Sequence, residues 1–322
     1  MPTPDCECIA INGKSGYFRS NSSWILGRMV RDYESWMDGK IKEKVNEVID
    51  KRWAQLKDEA REKGKPAPER PKQAGLCVSI YKPTPNAIVG EPVYDKISLW
   101  GFAIAIFQLG IASIPCGLFD DWGILMITVC GIVLSSAMAS LPQWKNEKWA
   151  CRRLPEDSNK RVVFTRGNGS QHAIVIEGSE GFLDLEDLSS GQTNVDVSVS
   201  TATRVAVAVL ALFWILLLIT AAGLKQNTWF LLAIGGIGIL QNVFVAGWRR
   251  HPRDSGIPID FVTVFGDKKV MKTLYDVEEA YPYLGRSLLE TFFPGKLRPD
   301  EQNRWNEYER TASAREAVRA ET

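Results

Sequence analysis

The sequence predicts an α-helical integral membrane protein with four transmembrane helices in two hairpins and cytosolic α+β segments around them. Three observations lead there. Two apolar runs without charge, Leu99–Leu118 and Gly123–Leu141, are separated only by Phe119-Asp120-Asp121-Trp122. A second such pair follows at Val205–Leu224 and Trp229–Trp248. Each run is about 20 residues long, roughly 30 Å of helix and enough to cross the hydrocarbon core of a bilayer. Finally, Trp100, Trp122, Trp144, Trp229 and Trp248 lie at or near run ends, the depth that interfacial rings prefer; Trp214 is the exception.

This divides the chain into five parts. Residues 1–97 form a cytosolic N-terminal segment with an amphipathic helix at 40–63. Residues 98–141 form the first hairpin, 142–204 a cytosolic middle segment with a β-hairpin, 205–248 the second hairpin, and 249–322 a cytosolic C-terminal α+β segment. Orientation comes from charge. The connector Phe119–Trp122 holds no lysine or arginine and the second connector only Lys225, whereas Lys145, Lys148, Arg152 and Arg153 follow the second span. Arg249, Arg250 and Arg253 follow the fourth. Both clusters place the N-terminus, the middle segment and the C-terminus in the cytosol by the positive-inside bias. Which membrane is occupied stays open between the endomembranes and the plasma membrane. Met1–Ser20 shows no secretory h-region, so the first run would act as an internal signal-anchor.

The 322 residues carry a net charge of +1, which argues against a nucleic-acid partner recruited by bulk charge. Six cysteines show no CxxC spacing and read as reduced thiols. The bilayer is the first expected partner, with Lys145, Lys148, Arg152, Arg153, Arg249 and Arg250 near its headgroups. Cys151 reads as a plain thiol or an acylation site. A protein partner or a second copy would be the next partner. Gly131, Ser135 and Ala139 line one face of the second run, and Gly235, Gly238, Asn242 and Ala246 one face of the fourth, so helices can approach closely there. The intramembrane amides Gln108, Gln241 and Asn242 read as interhelical hydrogen-bond partners.

Outside the runs, Lys40–Lys63 has its apolar residues on one stripe: Ile41, Val45, Val48, Ile49, Trp53, Leu56 and Ala60. Gly64 ends that helix, and 65–71 is a Pro-rich extended linker. Cys77–Tyr81 reads as a short strand. Arg161–Thr165 and Gln171–Glu177 read as paired strands about the turn Arg166–Ser170. Ile259–Phe265 is strand-like, and Lys268–Tyr281, Leu284–Phe293 and Asp300–Ala320 are helical.

Chemistry-bearing motifs are sparse. Gly13-Lys14-Ser15 matches the end of a phosphate-binding loop, but Cys8 stands where its first glycine belongs, so the segment reads as a mobile N-terminal stretch. Cys6, Cys8 and a distant histidine make a thin zinc set, and no metal or other cofactor is expected. Asp184, Glu186 and Asp187 read as a solvated acidic face or a helix cap. If the chain is an enzyme, its site would draw on His172, Arg166 and Asp184. The expected function is a membrane-anchored interaction or organising protein acting on the cytosolic side. A membrane-bound enzyme with a cytosolic site and a component of an oligomeric channel or transporter are the other two readings.

The run from Pro142 to Arg153, the turn 165–172, the acidic motif Leu183–Leu188 and Phe292-Phe293-Pro294-Gly295 together resemble a family of multi-pass membrane proteins from filamentous fungi. The resemblance spans roughly Pro85–Trp305. It implies a eukaryotic membrane protein and supplies no catalytic residue.

Overall fold

The computed structural model describes residues 3–91, 96–156, 158–191 and 201–320. Residues 192–200, inside the predicted middle segment, lie outside the described residues. The chain forms two units. One joins residues 1–91, 151–194 and 250–322; the other joins 92–150 and 195–249.

The second unit holds the apolar helices α4 (Lys96–Phe119), α5 (Gly123–Ala139), α8 (Thr201–Gly223) and α9 (Thr228–Gly247). α4 packs on α5 and α9, and α5 also packs on α8 and α9. Three of these helices, α4, α8 and α9, are long and apolar enough to cross a membrane. α5 reaches that length only together with α6 (Pro142–Lys148), across a bend of 42°. The bend follows from Pro142. The ring disfavours a helical residue before it, and Leu141 is extended (φ −62°, ψ 127°) while Pro142 starts the next helix. The predicted second span is therefore a bent pair. Leu99, Phe102, Ile106, Leu118, Leu218 and Leu240, among others, point outward from this unit and would be costly in water. A membrane location is what such a surface fits.

One amide bonds α4 to α9 and a second packs between them. Gln108 Nε2 donates to the Ile234 carbonyl (3.1 Å), and Gln241 Nε2 lies 3.5 Å from where a Cβ on Gly101 would stand. Gly238 gives Gln108 its room in the same way, at 3.4 Å. Gly131 faces Leu217 of α8, whereas Gly235 has open space around it.

The first unit is built on one six-stranded mixed sheet of order β2-β1-β4-β5-β3-β6. Its strands are β1 (Ile9–Asn12), β2 (Phe18–Ser20), β3 (Leu76–Pro83), β4 (Lys160–Thr165), β5 (His172–Gly178) and β6 (Ile259–Asp267). Only β3 and β5 run parallel, with Val78 opposite Ala173 and Ile80 opposite Val175. β1, β2 and β3 come from the N-terminal segment, β4 and β5 from the middle one and β6 from the C-terminal one.

Alternation sends Ile11, Leu76, Val78, Ile80, Val163, Ala173 and Val175 to one face. There they meet Leu274 and Val277 of α10 (Val270–Ala280), Leu284, Leu288 and Phe292 of α11 (Leu284–Phe292), and Trp305 of α12 (Pro299–Ala320). α3 (Gly39–Glu62) packs on β3 and β6, burying Ile41, Val48 and Ile49. The linker after it is not extended away: Trp53 Nε1 donates to the Pro68 carbonyl (2.9 Å), and Arg70 Nε to Asp50 (2.8 Å).

The N-terminal stretch is not a mobile segment. β1 is an inner strand of the sheet, and α1 (Trp24–Arg31) buries Ile25, Leu26, Met29 and Val30. Gly27 sits mid-helix, where glycine is ordinarily costly, because a Cβ there would meet Pro4 at 2.8 Å.

Candidate functional site

The predicted turn Arg166–Ser170 joins β4 to β5 and is fixed by its own polar atoms. Gly167 and Gly169 take φ of +95° and +85°, values glycine adopts freely. The Thr165 hydroxyl accepts from Gly167 N–H (3.3 Å) and donates to the His172 carbonyl (3.0 Å). Ser170 Oγ also donates to the His172 carbonyl, at 3.1 Å. Beside this turn lies α2 (Tyr33–Trp36). Between them is a pocket of about 300 Å³ whose rim carries Arg31, Glu34, Arg166 and His172, with Tyr33 and Phe164 beneath.

Both histidines of the chain border one aromatic cluster. The His172 ring stands 5.0 Å from that of Tyr33, and His251 stands 5.7 Å from Trp36. Tyr33 and Trp36 meet edge to face at 4.9 Å, and Trp36 lies 5.3 Å from Tyr81. Beneath the rings, Tyr33 Oη and Ser79 Oγ share a hydrogen bond of 2.5 Å, and Tyr81 Oη donates to Tyr33 Oη at 3.4 Å. Burial pushes the Tyr33 phenol up to about 12, so it stays protonated. Burial also lowers the His172 pKa; Glu34 opposes the shift and Arg166 adds to it. His172 Nδ1 is buried with no hydrogen-bond partner among the described residues. A proton forced onto that nitrogen would go unpaired, which favours the neutral ring.

This geometry holds a polar ligand more readily than it relays a proton. A histidine base is usually oriented by a carboxylate or carbonyl at its far nitrogen, and His172 Nδ1 has neither. The Ser170 hydroxyl is committed to a backbone carbonyl. Arg31 is ion-paired to Asp5 (2.8 Å) and Asp32 (2.9 Å). For Arg166 and Glu34, by contrast, the described residues provide no hydrogen bond or ion pair, and both border the hollow.

Asp184 does not join His172 and Arg166. It caps α7 (Leu185–Ser189), accepting from Asp187 N–H at 3.3 Å, and it is buried together with Glu186 and Asp187. The acidic motif is thus neither a solvated face nor part of the His172 pocket. Lys160 Nζ bonds both Asp184 oxygens (2.7 and 2.8 Å) and lies 3.0 Å from Glu186. Asn12 Nδ2 donates to Glu186 at 2.7 Å. Sequence reading missed Lys160, because its role depends on folding β4 against α7; the signal was a basic residue opening a strand beside a buried acidic motif.

The other predicted site residues are dispersed. Lys145 and Lys148 lie on α6, and Lys148 Nζ sits 4.9 Å from the Trp149 ring centre. Arg152 donates its backbone N–H to Asp187 (2.9 Å) while its side chain is 79% exposed. Arg153 donates to the Gly181 carbonyl (3.0 Å). The Arg250 backbone N–H donates to Asp32 (3.2 Å), and Arg249 is the last residue of the apolar unit. Burial pushes the Cys151 thiol up to about 12, so little thiolate is present for acylation. Among the described residues no three His, Cys, Asp or Glu side chains gather as metal ligands. No family model, no curated protein and no solved structure matches the chain.

Proposed function

We propose that this is an integral membrane protein of four spans whose α+β unit, on the cytosolic side, is an interaction module rather than an enzyme. The observation that carries the proposal is the composition of the sheet. Its strands come from all three polar segments, and paired strands must share one side of a bilayer. Each intervening helix pair then crosses an even number of times. Three spans would put one strand group on the wrong side, so the parity favours counting the bent pair α5–α6 as a crossing. The Lys and Arg clusters favour the cytosol as the shared side. The unengaged Arg166 and Glu34 at the rim of a fixed pocket support recognition of a polar partner group, and the missing orienter at His172 weighs against catalysis. The likeness to fungal multi-pass proteins belongs to the same proposal.

The test is glycosylation mapping. A long glycosylatable insert between Asp120 and Asp121 should be modified, and the native Asn168-Gly169-Ser170 sequon, which lies on the exposed turn, should not. Asn21-Ser22-Ser23 is uninformative, because Asn21 is buried and bonded to Ser23. A mobility shift that vanishes with Asn168→Gln would invert the proposed topology.

A further inference from the structure

Helix α9 carries two unlike flanks. One packs on α4 through Ile234, Gly238 and Gln241. Beside it, at about 3.6 residues per turn, Gly235, Ile239, Asn242 and Ala246 fall in a sector about 60° wide. All four are exposed, and a Cβ on Gly235 would meet nothing within 4 Å. The small-residue face read from the sequence thus divides. Gly238 turns inward, under the Gln108 amide, while Gly235, Asn242 and Ala246 turn outward.

Exposed apolar side chains on such a helix name no partner, because lipid tails are as apolar as leucine. An exposed amide does. Ser113, Ser136 and Thr220 are also exposed, but each donates to a carbonyl of its own helix, at 2.7, 2.8 and 2.9 Å, and is satisfied there. The Asn242 side chain makes no hydrogen bond among the described residues. It stands five residues before Gly247, where α9 ends. That is about 8 Å inside the helix end, too deep for a short side chain to reach water. An amide left bare in hydrocarbon is costly, so this one calls for a donor and an acceptor from another molecule at its own depth.

We propose that α9 pairs with α9 of a second copy of this chain through Asn242. The proposal rests on the reading of the apolar unit as membrane-embedded. Two copies inserted the same way are related by a two-fold axis along the membrane normal, so like residues meet at like depth. An amide is both donor and acceptor, and Asn242 can therefore give a hydrogen bond to the partner's Asn242 and take one back. A different protein would have to bring its own amide to this depth; a second copy always does. The side chain is short, so the two backbones must come close. Gly235, about two turns earlier on the same flank, and Ala246 beyond leave that room.

The test uses full-length protein in phosphatidylcholine vesicles, each copy carrying a donor or an acceptor fluorescent protein at its C-terminus. Energy transfer is read against the protein-to-lipid ratio to give a dissociation constant for the pair. Asn242→Leu should weaken pairing about 3–15-fold, the range for one interhelical hydrogen bond. Asn242→Gln keeps the amide and should lose less. Leucine at a lipid-facing position leaves the fold of one copy intact, so the loss reads pairing. Cysteines then locate the face. After copper-catalysed air oxidation, Ala246→Cys should give a disulfide-linked dimer above the parent's own background. Leu240→Cys, 70% exposed but on the far side of the helix, should not. No transfer at any density would leave the flank to lipid or to another protein and overturn the proposal. Transfer unchanged in Asn242→Leu would overturn it too, as would equal crosslinking from Leu240→Cys. Release of the protein by alkaline carbonate would overturn the membrane reading and the pairing with it, whereas retention without transfer overturns the pairing alone.

Discussion

Replacing Lys160 by Met should destabilise the α+β unit more than any surface charge change. Among the described residues Lys160 is the only cation that bonds Asp184, and it shares Glu186 with Arg19 (3.6 Å); the two acidic side chains are 9% and 12% exposed against 26% for the lysine. Removing one partner of a buried pair costs about 3–5 kcal/mol, because the remaining charge stays buried and unpaired. The partial exposure of Lys160 puts the expected loss at the low end, about 3 kcal/mol. For a unit of roughly 200 residues this is a fall in Tm of roughly 6–12 °C. The assay is thermal unfolding of the full-length protein in detergent, followed by tryptophan fluorescence. Adding Asp184→Asn and Glu186→Gln to the Lys160→Met variant should recover more than half of the loss, since Asn caps a helix about as well as Asp. A Tm within about 1 °C of the parent, well under the shift for 1 kcal/mol, would refute the buried-charge argument. So would a triple variant no more stable than the single one.

Other expectations follow from the same contacts. Trp305 is 2% exposed and its Nε1 has no partner among the described residues. Trp305→Phe should therefore cost about 1 kcal/mol or less, against about 3–5 for Trp305→Ala, as read by denaturant midpoints. At Glu177, burial raises the pKa, but bonds to Arg161 and Lys82 outweigh it and hold the carboxyl below its ordinary 4.5. That stabilisation is complete above the unfolded value and is lost as pH falls through the lowered folded one. Glu177→Gln should flatten the loss of Tm below pH 4.5, and an unchanged acid limb would count against the pairing. In the apolar unit, Gln108→Leu removes the bond to Ile234 and should lower resistance to SDS unfolding by about 0.6–1.7 kcal/mol. Tyr283 takes φ +70°, in the left-handed region, so Tyr283→Gly should leave the stability unchanged or raise it by about 1 kcal/mol, as read by thermal unfolding.

The sequence made the apolar helices, α3, the β4–β5 pair, β6 and α10 legible, because each is long or strongly periodic. It made the N-terminus illegible for two reasons. β1 has only four residues, so its alternation is too short to read, and its burial depends on pairing with β4 far along the chain. α1 does show helical spacing in Ile25, Leu26, Met29 and Val30, but Gly27 breaks the local propensity, and its packing against Pro4 is a tertiary fact. Asp184–Leu188 reads as a solvated face or a helix cap; the cap is what Asp184 forms on α7, and the burial of the run depends on Lys160 and Asn12, both distant in sequence. Of the candidate site, His172 and Arg166 could be named from the turn alone. Arg31, Glu34 and Tyr33 could not, since they arrive on α1 and α2, helices of eight and four residues whose periodicity is too short to read.

The strand order also sets a schedule for synthesis. β1 emerges first but cannot pair with β4 until α4 and α5 have been made, and β3 waits for β5 and then β6. At about 5–20 residues per second, the gap between β1 and β6 is on the order of 10–50 s. From its own emergence until β6 arrives, β3 is an open edge of the growing sheet, the kind of surface that attracts wrong strands. A ribosome that stops after α9 would leave a chain with every apolar helix in place and its sheet still missing β6. Insertion of the apolar helices is thus no sign that the sheet is finished, since the edge strand β6 is made after all of them.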